Sequence, residues 1–136
     1  MNKTSVLDAN ALLDFTEDGP GAGRVEQSIL EAHSSDIRLL ISVANWGEVF
    51  HHSWQQSGEE EARRTMGHLS RLPIQTVTVD REQALKAGEI KAVHKIPYVD
   101  CLAAALTILN HAILVTSDRD FEKLGRRIQV LWLARS

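Results

Sequence analysis

Five short apolar stretches recur along this chain, at residues 4–8, 38–42, 75–79, 113–116 and 128–133, and each gap between them carries a helical pattern. Strands that alternate with helices predict an α/β fold, a parallel sheet covered by helices on both faces. A chain of 136 residues falls within the size of one domain, here 1–136. That length buries about two thirds of its unfolded surface around a single core. Ligands of such sheets bind beyond the carboxyl ends of the strands, where strand order reverses. Residues just past each strand are therefore the ones to read for chemistry.

The helical gaps carry their own punctuation. Asn10 is placed to cap a brief helix bearing Leu12, Leu13 and Phe15, and Asp18-Gly19-Pro20-Gly21 then breaks the chain. From Ala22 to about His33, Val25, Ile29 and Ala32 recur on one helical face. Ser42 caps a helix reaching about Gln56, with Val43, Trp46 and Phe50 expected inside and Asn45, Glu48 and His52 on another stripe. Gly58 separates it from a charged helix with Ala62, Met66 and Leu69 inward, and Pro73 ends that unit. Asp80 and Gln83 have capping-box spacing for a helix that Pro97 stops. Tyr98–Leu109 has almost no polar face and is expected to be the most buried helix. A short helix with Phe121 and Leu124 precedes the last strand.

Composition narrows the function classes. The hydrophobic fraction is 43% and the charged fraction 24%, ordinary for a soluble globular domain. A net charge of −3 argues against a broad basic face for nucleic acid, and 5% aromatic content argues against a stacking platform for single strands. Cys101 stands alone, reads as a small buried hydrophobe and points to a reducing compartment. No apolar run approaches the roughly 18 residues that span a bilayer, and the first residues lack a signal-peptide pattern. These features predict a cytoplasmic protein.

Four acids occupy the chemically informative positions: Asp8 in Val6-Leu7-Asp8-Ala9-Asn10, Glu48 in Ala44-Asn45-Trp46-Gly47-Glu48, Asp100 in Pro97-Tyr98-Val99-Asp100, and Asp118 in Leu114-Val115-Thr116-Ser117-Asp118. Asp8 and Asp118 follow strands, whereas Glu48 and Asp100 lie on helices able to lean over the same sheet end. Taken singly, each is equally well a helix cap or a solvated charge. Converging on one spot, the four would repel strongly and would require protons or divalent cations. Such a cluster suits phosphodiester hydrolysis, in which divalent metal activates water and stabilises charge on the phosphate. Carboxylates, rather than a His/Cys cage, are the ligands that magnesium prefers.

These motifs, in this order and spacing, resemble the PIN-domain ribonucleases, and within them the small VapC-type toxins of toxin–antitoxin pairs. The likeness runs from Val6-Leu7-Asp8 through the Glu48 helix and Pro97-x-x-Asp100 to Thr116-Ser117-Asp118-Arg119-Asp120-Phe121. It implies a three-layer α/β/α domain with a parallel sheet of about five strands, endonucleolytic cleavage of RNA, a homodimer and a cognate antitoxin. Residue by residue it implies Asp8, Glu48, Asp100 and Asp118 as the acids that bind magnesium or manganese, with Asp120 as an additional acid. Asp8 is expected as the central ligand, with Asp100 and Asp118 completing the metal shell and Glu48 and Asp120 as further candidate ligands. Glu48 is assigned to orient or deprotonate the attacking water. Asn10 stands where many relatives have Ser or Thr, and Asn10, Ser117 and Arg119 are candidate substrate contacts.

Other conspicuous residues read more plainly. His51 and His52 are expected at the surface or an interface, since helix neighbours point in different directions. Trp46, Trp54 and Trp132 suit core or dimer packing, and Arg63-Arg64 and Arg126-Arg127 suit solvated helix faces or the lining of an RNA path. Two rivals compete with a nuclease. An aspartyl-phosphate domain of the Asp-x-Asp type requires an acid at position 10, where this chain has Asn10. A degenerate domain that only binds RNA or protein, or a processing nuclease outside toxin–antitoxin systems, is the other reading.

Overall fold

The computed structural model describes residues 3–34 and 36–135. Its elements run β1 (Lys3–Leu7), α1 (Ala9–Thr16), α2 (Ala22–His33), β2 (Ile37–Ser42), α3 (Val43–Ser57), α4 (Glu59–Leu69), β3 (Gln75–Val77), α5 (Arg81–His94), α6 (Tyr98–Leu109), β4 (Ile113–Thr116), a 3-10 segment (Arg119–Arg127) and β5 (Gln129–Trp132). The sheet order is β3-β2-β1-β4-β5, with every neighbouring pair parallel. The chain steps outward from β1 through β2 to β3, then returns to the other side of β1 for β4 and β5. Strand order thus reverses between β1 and β4, whose carboxyl ends lie side by side with Leu7 opposite Val115.

Side-chain alternation along the strands divides the core in two. Val6, Leu40 and Leu114 face one way, against Ala87 and Ile90 of α5, Cys101–Leu106 of α6, and Phe121. Leu7, Leu39, Ile41 and Val115 face the other way, against Leu12 of α1, Val25 of α2, Val49 of α3 and Leu69 of α4. The result is three layers, α/β/α. Each fully buried large side chain, Ile41 and Leu114 among them, contributes about 2 kcal/mol of hydrophobic transfer. The most buried helix is α6, with seven consecutive residues from Cys101 to Thr107 out of solvent, and its alanines let it lie close to the sheet.

Several local expectations change in the folded chain. The cap of α1 is Asp8, which accepts from the Ala11 backbone N–H at 2.8 Å, whereas Asn10 lies inside the helix with an exposed side chain. In α3 the wholly buried positions are Asn45 and Val49, while Val43 is 42% exposed. Ser42 does cap α3, accepting from the Ala44 N–H. Asp80 caps α5 through the Gln83 N–H at 2.8 Å, but the Gln83 amide turns inward to donate to Ser42 Oγ and the Leu102 carbonyl. One side chain thereby joins the start of α3 to α6. Lys95, left-handed at φ 56, ends α5, and Ile96-Pro97 lead into α6 at a 118° bend. At the break after α1, Asp14 folds back to accept from the Gly21 N–H. A side chain on Gly21 would meet Asp14 Oδ2 at 2.6 Å and Leu133 at 3.0 Å. No single helix among the described residues is long and apolar enough to cross a membrane.

Candidate active site

The point of strand reversal is where the acids meet. A cleft of about 310 Å³ opens there, and Asp8, Glu48, Asp100 and Asp118 all line it. Four stretches separated by up to 110 residues are brought together because β1 and β4 are neighbours, while α3 and α6 start at the same end of the sheet.

Asp8 lies deepest, at 2% exposure, and both its oxygens are engaged. Oδ1 accepts from the Ala11 N–H, and Oδ2 accepts from the Thr116 hydroxyl at 2.5 Å. That hydroxyl also accepts from the Asp118 backbone N–H at 2.9 Å, so one threonine at the end of β4 ties together the acids after β1 and β4. Asp118 caps the 3-10 segment by accepting from the Asp120 N–H at 2.9 Å. Asp100 projects from the first turn of α6, where the helix dipole favours negative charge. Glu48, on α3, accepts from the amide of the buried Asn45 at 3.2 Å, which fixes its rotamer toward the cleft.

Electrostatics at the site follow from burial and crowding. Desolvation is the main force that pushes the Asp8 carboxyl up to about 7. Asp100 and Asp118 add to it, and the hydrogen bonds from Thr116 and Ala11 oppose it. Asp100 is pushed to about 7 as well, by desolvation first and then by Asp118, Glu48 and Asp120. Two carboxyls poised near neutrality beside further acids form a site that gains by binding a cation.

Asp100, Asp118 and Asp120 each offer an oxygen within 4.8 Å of the other two. Hard divalent ions hold oxygen ligands at about 2.0–2.6 Å, so oxygens sharing one ion stand at most about 5 Å apart. The trio fits magnesium, manganese or calcium in donor type and spacing. Asp120 thus lies within ligand spacing of Asp100 and Asp118, and Asp8 lines the same cleft with one hydrogen bond to each of its oxygens.

The substrate candidates separate. Asn10 lines the cleft. Ser117 sits between Thr116 and Asp118, half-buried, outside the cleft lining. Arg119 turns away and stacks its guanidinium 4.4 Å from the Trp132 ring centroid. Among the basic pairs, Arg63 bonds Glu59 and stacks on Phe50 and Trp54, Arg64 bonds Glu60 and Glu61, and Arg127 bonds Glu89. Sequence reasoning missed two features. One is Thr116, whose only local signal is a hydroxyl two residues before Asp118. The other is that His51 and His52, expected as surface or interface histidines, line the cleft.

A family profile, that of the PIN domain, matches residues 5–127. The chain belongs to the PIN domain family. No curated protein matches it. Among solved structures, VapBC2 of Rickettsia felis, bound to a promoter DNA fragment, is similar at TM-score 0.79 and 15% identity, covering 96% of this chain and 99% of that one. The DNA-bound VapBC of Salmonella typhimurium is similar at TM-score 0.76 and 22% identity, with coverage of 96% and 98%. VapC20 of Mycobacterium tuberculosis, a toxin that cleaves the sarcin-ricin loop, is similar at TM-score 0.70 and 15% identity, with coverage of 89% and 95%. These likenesses establish the shared fold over nearly the whole chain.

Proposed function

We propose that this PIN domain is a magnesium- or manganese-dependent endoribonuclease that hydrolyses RNA phosphodiester bonds and serves as the toxin of a toxin–antitoxin pair. The observation that carries this reading is the convergence of Asp8, Glu48, Asp100 and Asp118 in one cleft, with Asp120 beside them. The resemblance of fold to VapC proteins supports the toxin assignment.

A bound divalent ion would supply Lewis-acid stabilisation of the phosphate and a more acidic water. Asp100, Asp118 and Asp120 would hold it, and Asp8, pinned by Thr116 and Ala11, would complete the negative field from below. Glu48, oriented by Asn45, would take the proton of the attacking water. Water as nucleophile leaves the ribose 2′-hydroxyl unused, so the products carry linear rather than cyclic phosphate ends. The chain acts in the cytoplasm. Its partner antitoxin covers the acidic cleft, and an Arg placed among the carboxylates is the chemistry suited to that task. Self-association to a homodimer would cover exposed apolar side chains such as Leu85 (69%) and Val93 (63%), which share a stripe of α5.

The test is cleavage of labelled transfer and ribosomal RNA by purified protein in magnesium, manganese or EDTA, beside an Asp8→Asn, Asp100→Asn double variant. Metal-dependent cuts with linear ends, lost in the variant, are expected. Cuts that persist in EDTA, cyclic-phosphate ends, or no cuts by folded, antitoxin-free protein would overturn the reading.

A further inference from the structure

The cleft poses an electrostatic problem that its acids do not solve. RNA brings one negative charge per phosphate to a wall of four carboxylates, with Asp120 alongside. One divalent ion cancels two charges, fewer than these acids carry once ionised. At about 5 Å, each uncancelled carboxylate–phosphate pair costs roughly 0.8 kcal/mol even with the dielectric of water. Phosphates flanking the scissile bond therefore need donors from the cleft itself.

Among the described residues, only two side chains lining it are able to carry positive charge, His51 and His52, since neither Lys nor Arg is among those lining residues. Both lie on α3, one turn beyond Glu48, and keep solvent access. His51 is exposed, and the His52 side chain is 41% exposed. His52 is held in place, its Nε2 lying 3.1 Å from Glu17 Oε2 at the end of α1. With Glu17 accepting at Nε2, the remaining ring edge is left for another partner. The arginines nearest in sequence are committed elsewhere, Arg63 and Arg64 to glutamates of their own helix.

We propose that His51 and His52 form the phosphate-contacting wall of the cleft, binding the RNA backbone beside the scissile bond, with Glu17 as the positioning residue for His52. The inference rests on the ribonuclease reading, and it assigns these residues to substrate binding rather than to metal binding or to the chemical step.

The test measures steady-state cleavage of a labelled RNA that the wild-type protein cuts, for His51→Ala, His52→Ala, the double variant and His51→Arg. Anisotropy of the same RNA on Asp118→Asn protein, with and without the histidine substitutions, reads binding apart from cleavage. Expected are a KM raised about fivefold in each single variant and more in the double, kcat within about twofold, and manganese affinity unchanged. His51→Arg should restore KM, and Glu17→Gln should raise it less than His52→Ala. Unchanged KM and unchanged RNA affinity in the double variant, or a fall in kcat alone, would overturn the inference while leaving the nuclease intact. Failure of the wild-type protein to cut any RNA strikes the parent reading instead, and the anisotropy arm then still decides whether the histidines hold RNA.

Discussion

The Thr116 hydroxyl donates to Asp8 Oδ2 at 2.5 Å and accepts from the Asp118 N–H at 2.9 Å, so a single side chain sets the spacing of two acids that are 110 residues apart. Thr116 is itself fully buried. Thr116→Val keeps the shape and removes the bridge, leaving a buried carboxylate oxygen and a backbone donor without their partner. A loss of about 1–3 kcal/mol is expected for such orphaned groups, read by urea denaturation. RNA cleavage should fall at least tenfold as Asp118 loses its register, whereas Thr116→Ser should retain most of both. A fully active Thr116→Val protein would show that the acids hold their positions without it.

Asp100 separates stability from activity. It stands against Asp118, Glu48 and Asp120, all of which raise its pKa, so in the absence of metal its charge works against the fold. Asp100→Asn removes that repulsion and one of the three carboxylates spaced to hold a cation. In EDTA at pH 8 its melting temperature should exceed wild type by about 3–5 °C, the shift expected for roughly 1 kcal/mol in a domain of this size. Magnesium should stabilise wild type and not the variant, and cleavage should drop by two orders of magnitude or more. Differential scanning calorimetry with and without magnesium decides it.

The same crowding fixes a pH dependence. Asp8 and Asp100 are pushed to about 7 in the folded chain, against about 3.9 for an unfolded Asp. Between those values the folded state holds protons that the unfolded state has released, so stability falls as pH rises. Metal-free protein should therefore melt highest near pH 5 and progressively lower up to pH 8. Divalent cations, which bind the ionised carboxylates, should raise the melting temperature more at pH 8 than at pH 5. A metal-free melting temperature that rises over this range would contradict the placement of these two acids.

Glu48 takes its orientation from Asn45, a wholly buried amide. Asn45→Ala leaves the carboxylate in the cleft but free to rotate. Expected is a kcat lowered about tenfold, less than the roughly 100- to 10,000-fold that a general base itself contributes, because the carboxylate stays in the cleft, with manganese affinity within twofold of wild type. Parallel losses of metal affinity and kcat would place Glu48 among the ligands instead.

How far the sequence reaches depends on how local the determining physics is. The apolar run of α6 and the caps Ser42 and Asp80 were legible because each acts within a turn or two. Asp8 and Asn10 both have cap-forming side chains, and their order was misread. The chain leaves the sheet at Leu7, so the first residue able to cap is Asp8. Val43 is apolar yet exposed, because the Ser42 cap turns the first helical side chain outward. The Thr116 bridge spans 108 residues and exists only because β4 lies beside β1, which no local pattern encodes. His51 and His52 point about 100° apart on α3, and both reach the cleft because it wraps around that helix between α1 and α6.

Arg119 tests the difference between proximity in sequence and proximity in space. Flanked by Asp118 and Asp120, it was a natural candidate for a substrate phosphate, yet its guanidinium lies 4.4 Å from the Trp132 ring centroid and outside the cleft. A cation stacked on indole at a half-buried site is worth about 1 kcal/mol, and the stack pins the 3-10 segment against β5. Arg119→Ala should therefore lower stability by about that amount and alter Trp132 fluorescence, with KM for RNA within twofold of wild type. Arg119→Lys should recover part of the stability, since the ammonium keeps the charge but not the planar face. A KM raised fivefold or more with stability unchanged would instead return this arginine to the substrate path.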